Sequence, residues 1–130
     1  MPLTTYFKNK MLDQAIGGGS AITVYASLHS ASPGSTGANE LSGGTPAYAR
    51  VALSWSAAAS GAKSTSAVVT FNVPTGGVGI PGVVAYVGYW DAATSGNFLG
   101  YAAVTPVSYP TQDVYALTSG QINLSAVASA

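Results

Sequence analysis

The chain has 130 residues, of which 48% are hydrophobic and only 6% are charged, against about 25% charged in a typical soluble domain. Four basic and four acidic side chains cancel to a formal net charge of 0, which argues against a nucleic-acid partner or an anionic membrane. The absence of cysteine excludes disulfide bonds, thiol catalysis and thiolate metal sites. We therefore expect residues 1–130 to form a single domain held by packing and backbone pairing. Because the mean hydropathy is +0.33, we also expect other protein to cover part of its surface.

The N-terminus does not resemble an export signal. Lys8 and Lys10 supply positive charge, but Asp13 and the glycines of 17–19 follow in place of an apolar segment. A run of about 20 apolar residues, which a membrane-spanning helix requires, does not occur. We therefore expect no membrane partner.

Residues 3–16 are predicted to form one short α-helix. Its apolar residues recur at the helical period, in a stripe of Leu3, Phe7, Met11 and Ala15 that is widened by Tyr6 and Leu12 and lies opposite Lys8, Asn9 and Asp13. Gly17 is expected to end the helix, because glycine adopts the left-handed conformation of a helix end without a Cβ clash. The apolar face would pack on the chain's own domain or on a neighbouring protein, and we favour its own domain.

From residue 21 onward the pattern is typical of β-strands. Residues 21–29 alternate between two faces, with Ile22, Val24, Ala26 and Leu28 on one and Thr23, Tyr25, Ser27 and His29 on the other. Residues 47–57 predict a second strand, in which the inward face is either Val51, Leu53 and Trp55 or Tyr48, Arg50 and Ala52. Between these strands, residues 30–46 are rich in Ser, Gly, Pro and Asn and predict a loop. Because this loop is longer than the usual connection, we expect an ordered contact element.

Five more strands are predicted: residues 65–73, 83–90, 97–105, 112–118 and 120–127. A turn region at 74–82 separates the first two of these, and a turn at 91–96 joins the next pair into a hairpin. Short strands between turn signals predict an all-β fold, an antiparallel β-sandwich or jelly-roll-like arrangement over residues 21–127 with one short N-terminal α-helix.

No pattern in the sequence predicts catalysis, a cofactor or a metal ion. Residues 77–82 match G-x-G-x-x-G, but a β-branched run follows them, so no helix N-terminus is available for a pyrophosphate. His29 is the only histidine, no G-x-S-x-G nucleophile motif occurs, and the four carboxylates lie far apart in sequence. A hydrolase would need a pocket that joins His29 to a carboxylate. We expect His29 to be a structural or surface residue instead.

Glu40 and Arg50 are each nearly alone in charge across the long loop and the second strand. They either form a pair that holds the loop on the sheet or remain two solvated charges. Asp91, which follows the strand 83–90, is expected to cap its turn through the backbone.

Candidate interface residues lie in the loop, in the turn region and among the aromatic residues of the C-terminal half. They are Pro33 and Gly34, Gly77 and Pro81, and Tyr101 and Tyr109. Aromatic side chains suit protein interfaces and stacking on sugars, although most aromatic residues of a β fold fill the core. The helix and the C-terminal tail are further candidate contact elements.

Five patches of sequence occur in an order that covers most of the chain. They are MLDQAIGG at residues 11–18, the strand end Leu28-His29, the loop residues 32–40 followed by Ser42-Gly-Gly44, the tripeptide Tyr48-Ala-Arg50, and VGYWDAATSGN at residues 87–97. In this combination they resemble a family of small virion proteins of tailed bacteriophages, which are tail-fibre-like or, in some phages, capsid cement proteins. The Gly- and Pro-rich residues 74–82 and the Ala- and Ser-rich C-terminus depart from that family's pattern.

The resemblance implies a role in assembly and no enzymatic activity. Our leading hypothesis is a capsid decoration, or cement, protein that bridges and stabilises subunits of the phage major capsid protein. The alternative is a minor tail or tail-fibre module that contacts tail proteins and binds host-surface glycan through its aromatic face. Under either hypothesis we expect a dimer or trimer, because open sheet edges would otherwise aggregate, and a place in the virion after assembly in the bacterial host cytoplasm.

Overall fold

The computed structural model describes residues 3–18, 21–57, 59, 62–80, 82–118 and 121–123. Within these residues, the helix α1 (Thr5–Gly17) precedes the strands β1 (Tyr25–His29), β2 (Ser42–Thr45), β3 (Val51–Ala52), β4 (Ala62–Ser64), β5 (Val69–Val73), β6 (Thr75–Val78), β7 (Gly82–Trp90), β8 (Phe98–Tyr109), β9 (Asp113–Leu117) and β10 (Gln121–Asn123). Every strand pair is antiparallel. The predicted all-β antiparallel fold with one short helix is confirmed.

α1 packs on the chain's own sheet. It begins after the N-cap residue Thr4, whose side-chain oxygen accepts a hydrogen bond from the Phe7 amide at 3.2 Å. The Thr4 amide donates to the Leu99 carbonyl of β8 at 2.8 Å, and Phe7 is buried. The left-handed residue at the helix end is Gly18, with φ 73°, one position later than predicted. Tyr6 and Leu12, which were predicted to widen the stripe, do not pack on the domain, because their side chains are 39% and 55% exposed.

A four-stranded sheet in the order β3-β1-β7-β8 forms the centre of the fold. Its β7 and β8 are the predicted hairpin. Register shifts between Val84 and Tyr86 and between Tyr89 and Trp90 show that β8 bulges twice. Pro106 lies in the first of these bulges, where its missing N–H removes no regular ladder hydrogen bond.

The pairing of β2 with β6 corrects two predictions. Residues 30–46 are not entirely loop and residues 74–82 are not simply a turn, because Ser42–Thr45 pairs with Thr75–Val78. The glycines that suggested turns allow the two backbones to approach closely instead. A Cβ at Gly77 would overlap the carbonyl oxygen of Ser42.

The remaining pairings join distant parts of the chain. β5 pairs with β9 and β4 with β10. The predicted strand 47–57 is reduced to β3 and an isolated bridge between Trp55 and Thr65. Leu53 is buried between them, so the face that carries it points inward. Of the predicted strand 120–127, residues 121–123 form β10, and residues 120 and 124–127 lie outside the described residues.

Apolar side chains from α1, the sheet and the β5–β9 pair form one core cluster. Its most deeply buried members include Ala26, Leu28, Phe71, Val73, Val84, Val87, Tyr89 and Leu99. Ala26, Leu28, Val87 and Tyr89 alternate along β1 and β7, so this core covers one face of the sheet. No helix among the described residues has the length and apolar character needed to cross a membrane.

Candidate functional site

The sheet face opposite the apolar core is also covered. Ser27 and His29 of β1 point to this face beside Trp90 of β7, because side chains alternate along a strand. Residues 30–41 lie over them, and Ser27 and His29 are both 0% exposed. The alternation in the sequence assigned these two residues to the polar face, but it gave no signal that another segment buries that face.

A directed chain of hydrogen bonds connects the buried polar groups. The Trp90 Nε1–H donates to Ser27 Oγ at 2.9 Å, Ser27 Oγ lies 2.7 Å from His29 Nε2, and His29 Nδ1 lies 2.7 Å from the Ala38 carbonyl oxygen. A carbonyl only accepts, so Nδ1 carries the proton and Nε2 accepts from the Ser27 hydroxyl. Burial lowers the pKa of His29 and outweighs the opposing effect of the Ala38 carbonyl and the Glu40 charge. The ring is therefore neutral and holds residues 30–41 on the sheet.

The Ser27–His29 contact has the spacing of a nucleophile and its base, but it is closed to substrate. Neither side chain is exposed, and the group that orients the ring is a backbone carbonyl and not a carboxylate. The pair also packs directly against the backbone of Gly88, where even a Cβ would overlap both His29 Nε2 and Ser27 Oγ, so no space is left beside it. This pair is a structural element of the fold.

Glu40 and Arg50 meet in a two-pronged ion pair next to this hydrogen-bond chain. Arg50 donates from Nε to Glu40 Oε1 and from Nη2 to Oε2, both at 2.8 Å. The Arg50 side chain is 9% exposed and that of Glu40 is 20% exposed. Of the two arrangements left open by the sequence, the structure therefore has the paired one, which holds the loop on the sheet.

Arg50 also connects a third part of the chain. Its Nη1 donates to the carbonyls of Ala92 at 3.1 Å and Ser95 at 2.8 Å, which belong to the turn after β7. Its guanidinium carbon lies 3.7 Å from the centre of the Trp90 ring, in a cation–π arrangement. One side chain thus joins residues 30–41, the sheet and the 91–97 turn.

Tyr48 completes what we call the polar cluster, made of Ser27, His29, Glu40, Tyr48 and Arg50. The Tyr48 hydroxyl accepts from the Leu28 amide at 2.9 Å and donates to Glu40 Oε1 at 3.2 Å. Burial, reinforced by the charge of Glu40, raises the pKa of Tyr48 far above its ordinary value, so the hydroxyl stays protonated.

The 91–97 turn is capped by Asp91. Its carboxylate accepts from the Asn97 backbone amide at 2.7 Å, from the Asn97 side chain at 2.9 Å and from the Tyr6 hydroxyl at 3.0 Å. Burial by itself raises the pKa of Asp91, but these hydrogen bonds outweigh it and hold the pKa below its ordinary value.

A row of aromatic rings continues along the same sheet face from the buried centre toward solvent. This aromatic row consists of Trp90, Phe98, Tyr101 and Tyr86, with ring centroids separated in that order by 4.9, 6.4 and 5.9 Å. Trp90 and Phe98 are buried, whereas Tyr101 and Tyr86 are half-buried. The row therefore ends in two tyrosines that solvent can reach.

Tyr101 forms one wall of an open groove of about 290 Å³. We call it the Tyr101 groove, and the described residues that line it are Leu3, Thr4, Gly34, Ser35, Gly100 and Tyr101. It brings together Gly34 and Tyr101, two of the six candidate interface residues. Gly34 adopts a left-handed backbone with φ 60°, which glycine tolerates best.

The other candidate interface residues are placed differently. Pro33 and Tyr109 are buried within the chain, so their side chains are not available to a partner in this conformation. Gly77 lies in the β2–β6 pair, where its backbone faces Gly43. Pro81 lies outside the described residues. No group of His, Asp and Glu side chains in the described ranges could hold a metal ion.

Comparison with known proteins identifies the family. The sequence matches none of the curated proteins. Residues 2–125 match the model of a family described as Podophage GP4 fiber I protein gp80. This match confirms the resemblance to tail-fibre-like virion proteins of tailed phages, and the chain belongs to the podophage GP4 fiber I protein gp80 family.

Proposed function

We propose that this chain is a structural component of a podophage tail fibre and that it acts by assembly and binding, without catalysis. The observation that supports this most strongly is the family match, which spans residues 2–125 and whose description names a fiber. The description does not mention a capsid. It therefore favours the tail-fibre alternative over our leading hypothesis of a capsid cement protein.

The geometry of the polar cluster is consistent with a role that needs no catalysis. The imidazole of His29 is engaged at both nitrogens by the fold itself. Arg50 makes four hydrogen bonds, all to groups of its own chain. These polar groups position loops and are not available to a reacting molecule.

The partners we propose are further copies of this chain and other tail proteins, which join it during assembly in the host cytoplasm. Apolar side chains lie exposed on several elements: Leu12 and Ile16 on α1, Val68 and Val114 at the β5–β9 pair, and Val78 on β6. Covering such side chains is favourable by about 25 cal/mol per Å² of apolar surface. The low charge of the chain suits permanent contacts of this kind.

Location and copy number in the particle test the proposal. Purified virions would be analysed by quantitative mass spectrometry against the major capsid protein, and by electron microscopy with a gold-labelled antibody to this chain. We expect label on the tail and a small number of copies per particle. Label distributed over the head, with hundreds of copies, would overturn the fibre assignment and support a capsid protein.

A further inference from the structure

We infer that the Tyr101 groove binds one neutral pyranose ring of a surface polysaccharide. This inference rests on the proposed function, since a fibre module displayed outside the particle meets such polymers. It assigns that contact to one place on the molecule, where an aromatic ring, a serine hydroxyl and an exposed glycine backbone surround a groove.

The Tyr101 ring is already oriented before any ligand arrives. Phe98, which is 6% exposed, lies nearly parallel to it with a 12° angle between the planes. Tyr86 meets it edge-on, at an interplanar angle of 66°. A ring fixed from two sides loses little conformational entropy when the C–H face of a sugar packs on it.

Polar groups suited to a polyol line the groove. The hydroxyls of Ser35 and Tyr101 make no hydrogen bond to any described residue of the chain. They are therefore available as donors and acceptors for sugar hydroxyls. By contrast, the Thr4 hydroxyl is already engaged, since it donates to the Phe98 carbonyl at 2.7 Å.

The electrostatics of the groove favour a neutral ligand. None of the described residues that line it carries a charge, so none of them compensates the carboxylate or phosphate of an anionic sugar. A neutral pyranose presents the complementary surface, with hydroxyls on its edge and C–H groups on its face.

A peptide strand does not fit this place. The backbone edge of β8 beside the groove is occupied by the chain itself, through the Leu3–Gly100 bridge and the hydrogen bond from the Thr4 amide to the Leu99 carbonyl. Strand addition needs those backbone groups to be free. The volume of 290 Å³ is near the lower end, about 300 Å³, of small-molecule pockets, which suits one sugar ring better than a longer occupant.

The test is saturation-transfer and chemical-shift NMR on the full chain. The probes are the methyl pyranosides of glucose, galactose, mannose and rhamnose, with glucuronic acid as the anionic comparison. We expect at least one neutral pyranoside to bind with millimolar affinity and to shift the signals of Ser35 and Tyr101. Tyr101→Ala should weaken this binding roughly tenfold, the size of one aromatic contact.

Tyr25→Ala is the matched control, because Tyr25 is also a half-buried strand tyrosine but does not line the groove. If Tyr101→Ala does not fold, Tyr101→Phe and Ser35→Ala take its place, and each should weaken binding while Tyr25→Phe does not. The inference is overturned if no neutral pyranoside binds, if glucuronic acid binds more tightly, or if the Tyr25 and Tyr101 variants behave alike. Such a failure leaves the location of the protein untouched, because that is decided separately by labelling of the particle.

Discussion

Removing the guanidinium of Arg50 is predicted to be among the most destabilising polar changes in this chain. In Arg50→Met the aliphatic stem remains, but the Glu40 carboxylate keeps only the Tyr48 hydroxyl as a partner, at 3.2 Å. The carbonyls of Ala92 and Ser95 lose their donor at the same time. An uncompensated charge that is four-fifths buried is costly in free energy.

The magnitude follows from these contacts. Breaking one partner of a fully buried ion pair costs about 3–5 kcal/mol, and the partial exposure of Glu40 places this case nearer the lower value, at about 3 kcal/mol. Glu40→Gln should cost less, about 2 kcal/mol, because Arg50 retains its two carbonyl acceptors. The double variant should be less destabilised than the sum of the two, with a coupling of about 1–3 kcal/mol, since it leaves no unpaired charge.

Equilibrium urea unfolding, followed by tryptophan fluorescence, measures these differences, provided the slope with urea stays the same among the variants. Lys63→Met is the matched control, because Lys63 is an exposed cation with one hydrogen bond, to the Ser56 carbonyl. It should change stability by less than about 0.5 kcal/mol. If Arg50→Met is as mild as Lys63→Met, the ion pair does not hold the loop, and the reasoning from its burial is refuted.

Three further predictions concern the same side of the sheet and the core behind it. Burial holds the pKa of His29 below 6.5, so at lower pH the unfolded chain takes up a proton that the folded chain does not. The free energy of unfolding should therefore fall as the pH drops below about 6.5. His29→Gln should flatten this pH dependence in urea melts, and an unchanged slope would contradict the assignment of a neutral ring. Gly37→Ala should lower stability by about 2 kcal/mol or more, because Gly37 has φ 78° and a Cβ there would overlap the Trp90 ring. Gly34→Ala should cost about 1 kcal/mol, because Gly34 has φ 60° but open space around it. Equal losses in thermal unfolding would show that the Trp90 contact is unimportant. Leu28→Ala, at a core position with 0% exposure, should cost about 2–5 kcal/mol by the same measurement, and a loss below that range would mean that the core refills the cavity.

Several features of the fold could be predicted because they depend on residues close in sequence. The helix follows from a stripe at the helical period and from glycines at its end, and the β7–β8 hairpin follows from two strand patterns around a short turn. Leu12 shows the limit of this reasoning. Its spacing is compatible with a packed face, but its side chain remains exposed when α1 packs on the sheet.

The candidate site was predictable only in part. Glu40 and Arg50 stood out because charge is so rare in the chain, and Tyr101 because aromatic residues crowd the C-terminal half. Ser27 and Trp90 were not predicted as site residues, since a serine in an alternating strand and a tryptophan among clustered aromatic residues have ordinary explanations. Their hydrogen bond joins residues 63 positions apart, and no local pattern reports such a contact.

The sequence by itself determined the fold class, the hairpin and the low-charge character of the surface. The periodicity of apolar residues sets each strand or helix locally, and the composition of the whole chain sets the charge of its surface. Only the tertiary structure decided that residues 30–41 fold back over the polar face of the sheet and that Gly43 and Gly77 face each other in a strand pair. The physical reason is that glycine permits both a turn and a close backbone approach. Whether a glycine forms a turn or a close backbone contact depends on which other segment of the chain the fold places beside it.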